Sequence, residues 1–139
     1  MREIKFRGQT YDTPPHWVFG DLYHYTTGEP AINYPHPHKK WIESKPVRPA
    51  TVGQFTGLYD CTRSDIYPKG RPIYEGDIIK VRTQNPYWRF RRNFVVTWGA
   101  DGWLLDGDSL YSWFSLHTLE VIGNIYDNPN LLEVDNARD

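Results

Sequence analysis

Apolar and polar side chains alternate with period two along much of this chain, the signature of half-buried strands. Ile4 and Phe6 alternate with Lys5 and Arg7. After Thr13-Pro14-Pro15, residues 16–25 (HWVFGDLYHY) predict a second strand, which TTGE turns into PAINY as a hairpin around Gly28. Residues 34–53 hold four prolines and little periodicity, which predicts an ordered loop or arm rather than an element. VGQFTGLYD follows as a strand, then CTRSDIYPKGRP as a polar insertion. Glu75-Gly76-Asp77 is turn chemistry, and the strand after it sets Ile78, Lys80 and Arg82 against Ile79 and Val81.

Residues 87–98, YWRFRRNFVVTW, continue the alternation. Trp88, Phe90, Phe94, Val96 and Trp98 share one face with Arg92, and Arg89, Arg91, Asn93, Val95 and Thr97 the other. The stretch exceeds a usual strand length, which predicts a bend or hairpin tip near Arg92-Asn93. Asp101-Gly102 signals a type I′ hairpin. Trp98 lies opposite Leu105 in a two-residue loop or opposite Trp103 in a four-residue loop, and either register keeps Val96, Trp98, Trp103 and Leu105 on one core face. DGDSL is a further turn, residues 111–119 are ambiguous, and EVIGNIY is a last strand. DNPNLLE predicts a helix of about two turns, capped by Asp127 or Asn128 with Pro129 in its first turn.

The totals sharpen this β-rich reading. Of 139 residues, 39% are hydrophobic, and 16% are aromatic: six Trp, ten Tyr and six Phe. Bulky rings with polar tips favour a β interior, and eleven Gly and eleven Pro supply its turns. The net charge is −1, so no global field draws in a polyanion. Cys61 is the single cysteine, which leaves no internal disulfide and no cysteine-based zinc cage. The charged start, MREIKFRGQT, lacks the apolar run of a signal peptide, and no run approaches a membrane span. The expectation is a cytoplasmic protein with no membrane partner.

Three pieces in order, REIKFRG, TVGQFTGLYD…PIYEGDIIKV and LEVIGNIYDNPNLL, resemble the YopX family of bacteriophage and prophage proteins over residues 2–133. The resemblance implies a mainly β protein whose C-terminal part, from Thr51 onward, is a small SH3-like barrel, behind an N-terminal hairpin and proline-rich arm of residues 1–50. It implies a phage or prophage origin, with an unknown phage or host protein as a further partner, and it brings no catalytic motif. The family's Gln54, Thr56, Gly57, Leu58, Asp60, Glu75, Gly76 and Asp77 are all present. CTRSDIYPKGR makes the link between TGLYD and IYEGD longer than is usual in the family.

Candidate chemistry is sparse. Asp60, Glu75 and Asp77 form a possible carboxylate cluster for a metal-dependent enzyme, but Asp60 and Asp77 suit turn capping better. His36 and His38, two apart in an extended segment, point the same way, yet a stable metal site needs ligands from elsewhere. No nucleophile elbow, Walker loop or dinucleotide fingerprint is present, and no catalytic residue, metal or cofactor is expected. Arg89, Arg91 and Arg92, with Tyr87 as the nearest free ring, offer phosphate contacts and one stacking surface for nucleic acid. Alternation, however, assigns most of the neighbouring rings to the core, and a solvated arginine face on an edge strand explains the arginines better. Trp17, Phe19 and Trp41 are surplus aromatics suited to anchoring self-association into a homo-oligomer. The sequence therefore favours a non-enzymatic binding or assembly module.

Overall fold

The structure is a computed structural model and describes residues 3–82 and 93–132. Among them the protein is mainly β, with two antiparallel sheets and one short α-helix. The chain divides into two compact units, Met1–Gly57 and Leu58–Asp139.

The first unit holds β1 (Phe6–Gln9), β2 (Trp17–His24), β3 (Pro30–Pro35), β4 (Ile42–Pro46) and most of β5 (Gly53–Tyr59), in the order β4-β3-β2-β1-β5. The expected hairpin around Gly28 joins β2 to β3, with Leu22 opposite Ile32. The proline-rich stretch is not a loop throughout, since it contains β4. Val47 N–H donates to Pro30 O at 3.2 Å, so in the alternating antiparallel ladder Pro46 turns its missing N–H away from β3. Pro35 and Pro46 thus bound the pairing without breaking it. Thr10 then bridges to Val47, and Arg48 N–H donates to Gln9 O at 2.8 Å, so the end of β1 also borders the chain beyond β4. Thr10 and Val47 are fully buried where this occurs.

The second unit contains β6 (Pro72–Tyr74), β7 (Asp77–Arg82), β8 (Asn93–Gly99), β9 (Gly102–Leu105), β10 (Asp108–Ser109), α1 (Leu110–Leu116) and β11 (Thr118–Asn124). Its main sheet has the order β10-β9-β8-β7-β11. Among the described residues that order is open and no barrel closes, so the SH3-like barrel expected from Thr51 onward is not borne out beyond a mainly β sheet. Cross-strand pairs Ile79–Phe94, Ile79–Val121, Val81–Leu119 and Val96–Leu105 put one apolar face under α1. Leu110 is fully buried in that core, and Trp113 packs its ring 5.6 Å from that of Phe94 while Nε1 donates to Leu105 O at 2.7 Å.

Three expectations are corrected here. Trp98 sits opposite Trp103, the register of the four-residue loop, and Asp101 does not take the positive φ that a type I′ turn needs. The type I′ geometry instead falls on Asp106-Gly107, both at positive φ (53° and 80°), in the second Asp-Gly of the region. Trp98 is no core residue either. At the open end of its strand it is 62% exposed, its ring resting edge-on against Trp103 at 4.7 Å. Finally, Pro129–Leu132 form a 3-10 turn, with Leu131 N–H bonded to Asn128 O.

Candidate functional site

Asp60 closes β5 and is almost fully buried, yet both its oxygens are engaged. Oδ1 accepts from Thr62 Oγ1 at 2.6 Å, Thr62 N–H at 2.9 Å and Arg71 N–H at 2.7 Å. Oδ2 accepts from Val121 N–H at 2.9 Å. Burial alone would raise its pKa, but these donors outweigh burial and hold the carboxyl below its usual range. The outer edge of β11 is thereby satisfied, because Leu119 O also accepts from Cys61 N–H at 3.0 Å. Asp77, also buried, accepts from Tyr74 N–H at 2.7 Å and caps the turn through Gly76. These are fold-holding carboxylates. Among the described residues no three His, Cys, Asp or Glu side chains gather to hold a metal ion. Cys61 is exposed.

At the tip of the β3–β4 hairpin, His36 Nδ1 accepts from His38 N–H at 3.0 Å, and the two rings lie 6.2 Å apart. Neither His16 nor His24 joins them. His16 pairs with Asp12 at 2.9 Å, and Lys45 reaches the same carboxylate at 3.0 Å. The Lys45 ammonium, donating to Asp12, holds that carboxyl low and its own pKa high.

The arginine stretch with Tyr87, Arg89, Arg91 and Arg92 lies outside the described residues. The three candidate anchors fall in different settings. Trp17 is half-buried with the Arg7 guanidinium 4.7 Å over its ring. Phe19 is 42% exposed on β2, and Trp41 is 53% exposed just before β4. The ladders put Phe19 and Tyr23 on the same face as Pro35 and Ile42, and all four are exposed. Trp41 is held from its own side of the hairpin: Nε1 donates to Glu43 Oε1 at 3.0 Å, and Lys39 Nζ sits 4.4 Å over the ring.

Two features escaped the sequence reading. Tyr11, 52% exposed, carries the Arg48 guanidinium 4.9 Å over its ring, a contact that follows only from the Thr10–Val47 bridge. The helix α1 buries Leu110 but exposes Tyr111, Phe114 and Leu116, and a shallow cavity of about 310 Å³ runs along Asp108, Ser112, Trp113 and His117. A helical period in residues 110–116 was the available signal for α1, masked by its shortness.

This arrangement defines a mainly β protein of two sheets whose buried carboxylates Asp60 and Asp77 are engaged by backbone donors and whose surface carries exposed rings. The family follows directly. Residues 5–133 match the family described as YopX protein, and the chain belongs to the YopX family. No curated protein and no solved structure matches it. Among the described residues no helix is long and apolar enough to cross a membrane.

Proposed function

We propose that this protein is a non-enzymatic binding and assembly module that self-associates, acting within phage or prophage biology. The observation that carries the reading is a set of exposed apolar side chains on the face of β2, β3 and β4 that also carries Asp21, Asn33 and Ser44. Phe19, Tyr23, Pro35 and Ile42 share it, and Ile42 is 63% exposed. Such surface on a small protein favours burial against another copy. Of the carboxylates that a metal-dependent enzyme would use, Asp60, Glu75 and Asp77, the first and last are engaged by backbone N–H groups.

Sedimentation velocity over a hundredfold range of concentration tests the proposal. Wild type should gain mass with concentration, and a Phe19→Ser, Ile42→Ser double variant should stay monomeric over the same range. A wild type that remains monomeric throughout, or a double variant that associates as wild type does, rejects the assembly reading at this face.

A further inference from the structure

β4 stands at the end of its sheet, so only the side toward β3 is paired along its length. Val47 N–H donates to Pro30 O at 3.2 Å and His36 N–H to Trp41 O at 3.0 Å. In the alternating ladder, residues 41, 43, 45 and 47 therefore turn their backbone groups to β3, and Ile42, Ser44 and Pro46 turn theirs outward. On the outer side Arg48 N–H meets Gln9 O at 2.8 Å and Thr10 bridges Val47, but that pairing does not continue to Pro46. Among the described residues, the N–H groups of Ile42 and Ser44 and the C=O groups of Ile42, Ser44 and Pro46 have no backbone partner. All three residues are exposed.

We propose that β4 pairs antiparallel with β4 of a second copy, across a twofold axis at Ser44. The inference rests on the self-association reading and names the edge through which the copies meet. Only even-numbered residues face out, so each hydrogen-bonded pair must join even to even. Ile42 opposite the partner's Ser44 would set Glu43 against the partner's Glu43, two like charges. Ser44 opposite the partner's Ser44 instead sets Glu43 against the partner's Lys45 and Ile42 against the partner's Pro46, in both directions. Ser44 N–H then donates to the partner's Ser44 O, and Ile42 N–H to the partner's Pro46 O. Glu43 gives Oε1 to Trp41 Nε1 and Lys45 one contact to Asp12, so each keeps an oxygen or an N–H for the partner. Edge groups already bond to water, so the ladder fixes direction and register more than affinity. The ion pairs lie in solvent and act the same way. Burial of Ile42, 63% exposed in the single chain, against the partner's Pro46 supplies the net gain.

Sedimentation velocity at low salt and disulfide trapping test this together. Wild type should gain mass with concentration. Ser44→Pro deletes an outward N–H without touching the ladder to β3 and should weaken association about tenfold or more. Ser44→Val keeps that N–H and should change association by less than about threefold. Glu43→Lys and Lys45→Glu should each weaken it, and an equimolar mixture of the two should regain it, because every like-charged pair becomes an opposite one. In a Cys61→Ser background, oxidation should cross-link Ser44→Cys to itself, since directly opposed Cα atoms lie about 5.5 Å apart, and should leave Ile42→Cys uncrosslinked. Circular dichroism checks that each variant keeps the fold. A monomeric wild type rejects self-association and this inference with it. An associating wild type whose Ser44→Pro variant associates equally overturns the edge alone and leaves the apolar face as the contact. Cross-linking through Ile42→Cys in place of Ser44→Cys, or a charge-variant mixture no stronger than its components, overturns it as well.

Discussion

A single carboxylate does more for this protein than any other polar group described. Four donors converge on Asp60, so Asp60→Asn leaves an amide NH₂ facing a backbone N–H on one side or a lone oxygen for several donors on the other. The expected loss is about 2–4 kcal/mol, read from urea unfolding at neutral pH. Its pH signature follows from the lowered folded pKa. The contribution is complete above the unfolded value of about 3.9 and is lost as pH falls through the folded value, so wild type should lose more stability on acidification than Asp60→Asn. Gly70 depends on the same residue. Its φ is 101°, and a Cβ there would lie 2.1 Å from the backbone oxygen of Asp60. Gly70→Ala should therefore cost about 3 kcal/mol or more, whereas Gly28→Ala, also at positive φ but in open space, should cost about 1 kcal/mol in the same assay. The sequence pointed to Asp60 as a capping residue. It did not show that one of the donors would be Val121, 61 positions away.

Elements were legible where one face is buried and the other wet. β2, β3, β7 and β11 lie where alternation and turn residues placed them. β4 was hidden because Ile42, Ser44 and Pro46 on one face and Glu43 and Lys45 on the other are mixed in polarity, and neither face is deeply buried. Two Asp-Gly pairs compete for the same hairpin signal, and the pattern alone could not rank them. The structure gives positive φ to both residues only at Asp106-Gly107. Asp106→Val should thus cost about 1 kcal/mol, while Asp101→Val should stay within about 0.5 kcal/mol. The same logic separates the paired tryptophans of β8 and β9. Trp103 is buried and Trp98 is not, so Trp103→Ala should cost about 3–5 kcal/mol and Trp98→Ala about 1 kcal/mol or less by thermal unfolding. Alternation correctly put both on one face, but it carries no information about where the sheet stops covering that face.

For the whole molecule, near-neutral charge and exposed apolar surface bear on the proposed self-association. With a net charge of −1, copies have little long-range repulsion to overcome, and burial of Phe19 and Ile42 is insensitive to screening. The proposed self-association should change less than about twofold between 50 and 500 mM salt in sedimentation experiments. Family and fold class were legible at this scale, because the ordered motifs of β1, β5, β7 and β11 span the chain; the openness of the C-terminal sheet was not. Asp60 also bears on what the protein tolerates. Its Oδ1 holds Thr62 N–H on one side of the polar insertion and Arg71 N–H on the other, so the two ends of that loop are clamped to one atom. Whatever chain lies between them is free to change length at little expense to the sheets, since doubling a flexible loop costs only about 0.6 kcal/mol. A link of this length then needs no compensating change elsewhere, and the exposed tip around Asp65 and Ile66 is a natural graft point for an epitope or a fluorescent reporter.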